Sequence, residues 1–476
     1  METEYTVDNI ENNTEIVEQN KTTSESNESI AYFIGVRGIA VKILSRFERS
    51  DAYLEKLLDN EIRNNNFNQM DRGLLTELVN GVIRWKWKLD WVLTGFYQGD
   101  YLKCLNIVKN ALRVGIYQIL YLNKIPLHAA VNESVEIVKK IQGEKTAGLV
   151  NAVLRNVARN IENVRFPGRE DDLQYYLSVV YSHPRWMVKR WLDRFGEQEA
   201  EALLSANNRR PFIPIRINTL KATQESILQF LNEKGISYFV SRFIPTSIIL
   251  KSPRLDIRSL GIFQEGAMTI QDTSAALAAK LAMPEPGQNV LDLCAAPGGK
   301  SFLLAELMKN QGEVIAIDKY SAKMRFIEEG AKRLGLDIIK ATTADAETVE
   351  FDREFDLVFA DVPCSGLGTI SKKPDIKWKR EREDIPILQS KQRKILLNAV
   401  HHVKTGGVIL YSTCTLEPEE NTDNIKWFLE VFPNFELDPA EKYLPSEVCS
   451  DGFMQTYPHK HYIDGAFAAR LRKKDL

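Results

Sequence analysis

The stretch Val290-Leu291-Asp292-Leu293-Cys294-Ala295-Ala296-Pro297-Gly298-Gly299-Lys300 runs from a strand-like apolar segment into a turn of small residues that opens a helix. In such a turn the backbone approaches a ligand closely, and amide groups at the helix start can hold a carboxylate or a phosphate. Outward from it, apolar β runs recur at 289–293, 313–317, 338–341, 356–360, 408–411 and 466–471, most of them separated by helical stretches. The alternation begins after Pro284-Glu285-Pro286-Gly287 and predicts an α/β domain over 281–476. Its sheet should be doubly wound, mostly parallel and Rossmann-like, with ligands at the carboxyl ends of the strands.

Three ligand classes compete for the turn. A phosphate loop requires G-x-x-x-x-G-K-[ST]; Gly299-Lys300-Ser301 satisfies its end, but Cys294 stands at the first glycine position. A dinucleotide fingerprint, G-x-G-x-x-G, is absent. Asp318, closing the next strand, is placed to bind two ribose hydroxyls with no phosphate between them, and Asp345, after the third strand, to reach an adenine edge. With Asp361 they make a ring of acceptors after successive strands, and the expected ligand is S-adenosylmethionine.

Residues 1–29 mix Asn, Thr, Ser and Glu with few large apolar groups, too few to offset ordering entropy, and are expected to form a disordered acidic tail. Eight acids against one lysine give this segment −7, so the rest of the chain carries +5 behind an overall charge of −2. A mildly basic body suits a nucleic-acid partner and equally an ordinary solvated surface. Over 30–165, apolar residues recur at three and four, as in Val36, Ile39, Ala40, Ile43, Leu44 and Phe47, which predicts an all-helical domain. Within it, Arg84-Trp85-Lys86-Trp87-Lys88 interleaves bases and aromatics, a pattern able to stack on RNA. The stronger reading puts Trp85 on the buried leucine face, with the bases as its wet side. A charged helical linker over 166–210, containing Trp186 and Trp191, leads to a small α+β subdomain over 211–280 that is expected to bind RNA.

Five cysteines without a C-x-x-C pair argue against a disulfide scaffold and a zinc ribbon, so the thiols are expected to be reduced and free. His459 and His461, with Cys449 nearby, are too poorly spaced for a metal site, and His401-His402 fits a helix end where imidazolium suits the carbonyls. No uncharged apolar run reaches the length of a membrane span and no signal-peptide pattern opens the chain, which points to a cytoplasmic protein, monomeric by default.

Cys364, in Asp361-Val362-Pro363-Cys364-Ser365-Gly366, and Cys414, in Ser412-Thr413-Cys414-Thr415, each follow a strand-like run, which places both at the mouth of the sheet. Two thiols beside a methyl donor suit an inert ring carbon that must first be made nucleophilic. Methylation of cytosine carbon 5 has that demand: a thiolate adds at carbon 6 and later leaves. The attacking thiol needs a cation, a helix start or a hydrogen-bond donor to lower its pKa. Placement does not rank the two. Cys294 lies inside the turn, where its backbone is the useful part; Cys104 reads as a small core residue in a helix, and Cys449 has no comparable setting.

The set Cys294 to Lys300, Asp361 to Gly366 and Thr413-Cys414, with Glu417-Pro418-Glu419-Glu420-Asn421 after it, resembles the RNA cytosine carbon-5 methyltransferases. The helical domain is similar to the NusB-type RNA-binding fold. Together, from about residue 34 onward, they resemble the bacterial 16S ribosomal RNA methyltransferases of the RsmB family. The resemblance implies S-adenosylmethionine as methyl donor and 16S ribosomal RNA or an assembling small subunit as partner. It implies Cys414 as the nucleophile that bonds carbon 6 and Cys364 as the thiol that assists product release. Cofactor contacts would come from Cys294, Ala295, Ala296, Pro297, Gly298, Gly299, Lys300, Asp318, Asp345 and Asp361, with Asp361 and Lys300 also facing the cytosine. Ser365-Gly366-Leu367-Gly368 and Asp464-Gly465-Ala466-Phe467 depart from the family pattern and are expected to alter local packing without touching the reacting groups. The alternatives are the same chemistry on transfer RNA or another RNA, and a non-catalytic RNA-binding, antitermination-like factor.

Bases cluster around one aromatic just after the first thiol loop. Lys372, Lys373, Lys377 and Trp378 are therefore expected to hold the RNA backbone, with Arg209, Arg210 and Arg216 as a second contact. The target base should be unpaired or flipped out, because a thiol cannot reach carbon 6 inside a stacked helix.

Overall fold

The computed structural model describes residues 33–251 and 255–475, so the acidic segment 1–29 lies outside the described residues. The chain divides into two compact units at Ser182/His183. The first unit is helical and includes the helix Leu173–Val180, beyond the expected boundary at 165; the helix Arg185–Asn207 belongs to the second unit. The stretch 166–210 is divided between the two units.

In the first unit, Val36, Ile39, Ala40, Ile43, Leu44 and Phe47 all point inward from the helix Gly35–Phe47, as their spacing requires. Close helix approach is made possible by glycine: a side chain at Gly81 would occupy the place of the Tyr117 ring. The run Leu127–Asn160 is broken at Gly143, whose φ of 80° only glycine adopts readily. Arg113 is sealed inside, with Nε and Nη2 each donating to Asp90 at 2.7 Å and Nη1 donating to Glu48 at 2.7 Å. The Arg84–Lys88 segment is not a wet basic face: Arg84 is buried, Lys86 pairs with Glu48 at 3.3 Å, and Lys88 lies 5.3 Å from both the Trp85 and Phe166 rings. Burial lowers the Lys88 pKa accordingly. Trp85 stacks on Tyr121, with ring centroids 5.2 Å apart.

The second unit carries two sheets. The smaller is antiparallel, in the order β2 (Tyr238–Val240), β3 (Ser247–Leu250), β1 (Ile213–Ile217), β4 (Met268–Ile270). Ile227 and Leu231 of the helix Gln224–Glu233 cover Ile215, Ile217, Ile248 and Leu250. Strand β4 has too short an apolar run to stand out in the sequence; pairing with β1 creates it.

The larger sheet has β5 (Asn289–Asp292), β6 (Glu313–Asp318), β7 (Ile339–Thr343), β8 (Phe355–Asp361) and β9 (Val403–Thr413) as its parallel part. An antiparallel wing follows: β10 (Phe435–Asp438), β11 (Cys449–Ser450), β12 (Phe453–Thr456) and β13 (Ala466–Lys473). The order is β11-β12-β13-β9-β8-β5-β6-β7, with β10 also paired to β13. Parallel strands are apolar on both faces because helices cover both. Val290, Val314, Leu357, Phe359 and Leu410 face one layer; Leu291, Ile317, Val358, Ala360 and Tyr411 face the other. The chain runs outward from β5 to β7 and then returns to β8 on the other side of β5. That reversal opens a crevice at the carboxyl ends of β5 and β8, where ligands bind in sheets of this kind.

His402, at the end of the helix Asp384–His402, is not a charged cap. Its Nε2 meets the Val349 carbonyl oxygen at 2.9 Å, and burial lowers its pKa, so the ring is neutral and structural.

Candidate active site

The four central strands end in polar groups on one rim: Asp292 on β5, Asp318 on β6, Asp361 on β8 and Thr413 on β9. After β5, the turn is tied to its neighbours by backbone bonds. Ala295 N–H donates to Ile317 O at 2.8 Å and Gly298 N–H to Ala295 O at 2.7 Å. The Ala296-Pro297 bond is cis. Gly298 sits at φ 105°, and a side chain there would collide with the Phe302 ring, so glycine is required twice over. The helix Gly299–Leu307 then begins, bringing Gly299 and Lys300 to the rim.

Asp292, which the sequence reading did not select, is buried beneath this turn. Its carboxylate accepts from Ser301 Oγ at 2.6 Å and from Cys294 N–H at 3.4 Å. Burial raises its pKa to about 7. Burial also pushes the Cys294 thiol well up, helped by the Asp292 charge, which leaves the backbone of Cys294 as its contribution. Asp318 accepts from Tyr320 N–H at 3.0 Å and from Lys323 Nζ at 3.2 Å. Asp345 is held by Lys319 Nζ at 2.7 Å, and that bond lowers its pKa.

The two thiols converge. Cys364 Sγ and Cys414 Sγ lie 3.2 Å apart, each just past the end of adjacent parallel strands. The Cys414 N–H also donates to Cys364 Sγ at 3.3 Å. Beside them, Lys300 Nζ bonds Asp361 Oδ2 at 2.5 Å, and Ser412 Oγ donates to Asp361 Oδ1 at 2.7 Å. Burial opposes the Lys300 charge, but Asp361 holds its pKa above the ordinary lysine value. The two thiols shift in opposite directions. The bond from Cys364 lowers the Cys414 pKa, with Lys300 and Lys373 acting the same way, and the same bond raises Cys364. The Cys414 amide alone would favour a thiolate on Cys364. The sulfur–sulfur contact is the largest cause of both shifts. Burial and the Asp361 charge oppose a thiolate on Cys414 while Lys300 and Lys373 favour it, and the outcome is a Cys414 pKa below and a Cys364 pKa above the ordinary thiol value.

Glu420, buried behind the loops, holds the Cys364 loop in place. It accepts from Ser365 N–H at 2.8 Å and from Gln392 Nε2 at 2.9 Å, and it also bonds the Ser365 hydroxyl. Gln392 in turn bonds Pro363 O at 3.0 Å, while Arg380 Nε donates to Ser365 O at 3.1 Å. Thr413 Oγ1 and Asn421 Oδ1 meet at 2.6 Å, and Asn421 Nδ2 donates to Thr415 O at 3.1 Å, pinning the Cys414 loop. The Glu417–Asn421 motif thus buttresses both thiol loops, a role no linear spacing discloses. Gly465 joins this backbone network. Its N–H donates to Gly368 O at 2.9 Å while Gly368 N–H donates to Cys414 O at 3.0 Å, so the 464–467 segment is bonded directly into the thiol loops.

The basic residues separate into two groups. Arg209, Arg210 and Lys373 are exposed, and Trp378 is half-buried. Arg216 is only 1% exposed and pairs inside with Glu306 and Gln271, so it cannot meet RNA without unfolding its strand. Lys377 is equally sealed, with Nζ donating to Asn208 Oδ1 at 3.1 Å. Lys372 bridges Asp272 and Asp464, and although burial opposes its charge, the two carboxylates raise its pKa. Charge runs along the chain overstate the basic surface because buried groups such as Arg216, Lys377 and Lys372 already have internal partners.

Fold and site together define a methyltransferase: a turn and ring of carboxylates at a sheet switch point, on the same rim as two paired thiols. Family models for 16S rRNA methyltransferase RsmB/F, the NusB family and the RsmF/B ferredoxin-like domain match residues 279–472, 35–159 and 183–258. The chain is 40% identical over 449 residues to the probable ribosomal RNA small subunit methyltransferase B of Bacillus subtilis, covering 92% of this chain and 99% of that one. It is 35% identical over 395 residues to the Escherichia coli K12 ribosomal RNA small subunit methyltransferase B, covering 80% and 89%. The crystal structure of PH0851 superposes with a TM-score of 0.77 at 29% identity, covering 92% of this chain and 99% of that one. The chain belongs to the ribosomal RNA small subunit methyltransferase B family.

Proposed function

We propose that this protein transfers a methyl group from S-adenosylmethionine to carbon 5 of a cytosine in 16S ribosomal RNA, through a covalent cysteine adduct at carbon 6. The observation that carries the reading is the 3.2 Å approach of Cys364 and Cys414 beside the Lys300–Asp361 pair, at the rim where the glycine turn opens. The donor set suits the cofactor. Asp318 and Asp345 offer acceptors for hydroxyl and amine groups, Gly298 leaves backbone exposed to close approach, and no pyrophosphate-binding fingerprint is present. Bound there, S-adenosylmethionine supplies an electrophilic methyl on a sulfonium. The turn residues Cys294, Ala295, Ala296, Pro297, Gly298, Gly299 and Lys300, with Asp318, Asp345 and Asp361, would hold it.

The protein's own groups do the rest. Cys414, ionised first, adds to carbon 6 of the flipped base and drives the ring electrons onto carbon 5, which takes the methyl group. Lys300 and Asp361 lie next to the thiols and would orient the pyrimidine edge. Transfer of the carbon-5 proton to water, as the carbon 6–sulfur bond breaks and Cys414 leaves as a thiolate, restores the aromatic ring. Cys364, held at the higher pKa, keeps its proton at neutral pH and is suited to assist the release step.

The test is incorporation of labelled methyl groups into unmodified small-subunit ribosomal RNA and a transfer RNA pool by wild type, Cys414→Ala and Cys364→Ala. Label in ribosomal RNA as 5-methylcytosine, lost in Cys414→Ala and accompanied by a persistent covalent complex in Cys364→Ala, supports the reading. Label in transfer RNA alone refutes the substrate. RNA binding without any label favours the antitermination-like factor.

A further inference from the structure

A cavity of about 470 Å³ lies in the second unit, away from the thiols, between the small sheet, the Lys372 loop and the Tyr462 turn. Ligand pockets typically occupy about 300–1,000 Å³, so it has room for one nucleotide. Its wall holds aromatic faces turned to solvent: Phe212 is 47% exposed, Phe239 38% and Tyr462 70%. Arginines stand among them. Arg209 lies 4.9 Å from the Tyr462 ring, Arg210 is exposed, and the exposed Arg242 covers Phe243 at 4.6 Å. Tyr462 adopts φ 61°, a left-handed conformation uncommon for a bulky residue, and it projects the ring outward at the mouth. Lys372 bridges the acids in the wall, Asp272 and Asp464, and offsets one of their two charges.

We propose that this cavity is a second RNA subsite: it takes an unpaired base flanking the target cytosine, stacked on Phe239 and Tyr462, with its phosphates on Arg209, Arg210 and Arg242. The inference rests on the RNA methyltransferase reading and extends it. Three features favour single-stranded RNA as the occupant. Aromatic faces without a closed, fully polar lining suit base stacking, which tolerates any base. Arginines at the mouth suit a strand with one charge per residue. The cavity wall is also bonded to the reaction centre: Asp464 lines it, Gly465 N–H reaches Gly368 O at 2.9 Å, and Gly368 N–H reaches Cys414 O at 3.0 Å. Such a subsite would help keep the target base out of its helix, because a captured neighbour cannot restack.

The experiment uses the full chain and a fluorescent oligouridylate of about a dozen residues, with anisotropy read over a salt series. Tyr462→Asn/Phe239→Ser should weaken binding about tenfold with an unchanged slope of log affinity against log salt, because stacking is lost and no charge is removed. Arg209→Ala/Arg210→Ala should weaken binding and flatten the slope by roughly one to two units. Thermal melts matching wild type exclude misfolding, and photo-crosslinked uridine should map to Phe239 or Tyr462. Unchanged affinity in the aromatic variant, or crosslinks that avoid both rings, overturns the subsite. If the wild type still methylates RNA in that case, the methyltransferase reading stands. If the wild type neither binds the oligonucleotide nor methylates RNA, both fall. Displacement of the RNA by a peptide or small molecule held in the cavity, with the aromatic variant binding RNA normally, would assign the cavity to that other ligand and refute the proposal.

Discussion

Replacing Glu420 separates the support of the Cys364 loop from the thiol chemistry itself. In Glu420→Ala the Ser365 N–H, now bonded at 2.8 Å, loses its acceptor in a buried site. Gln392 keeps Pro363 O at 3.0 Å, and the Ser365 hydroxyl keeps Thr415 Oγ1 at 2.6 Å, so neither is stranded. One orphaned buried amide costs about 1–3 kcal/mol, and the vacated volume adds on the order of 1 kcal/mol. Burial raises the Glu420 pKa, so removing the carboxyl returns part of that loss. The net is about 2–3 kcal/mol, or roughly a 5–8 °C fall in the melting transition of the second unit. Glu420→Gln retains an oxygen for the Ser365 amide and should cost under about 1 kcal/mol. Functionally, a loosened Cys364 should slow release more than attack. Covalent RNA–protein complex should therefore accumulate on denaturing gels in the Ala variant and not in the Gln variant. Calorimetry and the gel assay test the two halves. A Glu420→Ala protein that melts with wild type and releases product normally would refute the buttress.

Asp292 gives a pH signature. With a folded pKa of about 7 against the ordinary 3.8, the unfolded chain sheds a proton that the folded protein keeps, so stability falls as pH rises between those values. The penalty is complete above about pH 7 and is at most about 4 kcal/mol; Asp292→Asn should flatten that part of a urea-unfolding series between about pH 5 and pH 8, and an unaltered profile would refute it. Gly368→Ala drives a side chain into the Gly465 carbonyl and toward Cys414 O, so methyl transfer should drop at least tenfold, and wild-type turnover would show that the loops give way freely. Arg216→Met leaves Glu306 buried without its partner and should cost about 3–5 kcal/mol, with Arg216→Met/Glu306→Leu recovering most of it. The salt slope of RNA affinity should be the same in the double variant as in wild type; a flatter slope would return Arg216 to the RNA surface.

Three of the five parallel strands were legible as short apolar runs ended by an acid, at Val290-Leu291-Asp292, Ile315-Ala316-Ile317-Asp318 and Phe359-Ala360-Asp361. Strands β10 to β12 escaped because they are short elements whose apolar residues gain meaning only in the antiparallel wing built on β13. The two thiols were singled out by their loops, yet their separation of fifty positions held no hint that the sulfurs meet. Basic residues were the least legible class. Lys377 and Arg216 look like Lys373 and Arg209 in a list of charges, and only their partners inside the fold distinguish them.

Local chemistry was decided residue by residue along the chain: periodicity set helix against strand, and glycine at a positive φ set the cofactor turn. Paired cysteine loops set the class of reaction. Those properties depend on a residue and its near neighbours, and they are written linearly. The opposite pKa shifts of Cys364 and Cys414, the buttress at Glu420, the internal use of Arg216 and Lys377, and the aromatic cavity near Tyr462 came only from the assembled fold. Each depends on burial and on partners up to hundreds of positions away, and burial and the placement of neighbouring charges are what set a thiol's pKa or an arginine's freedom to bind.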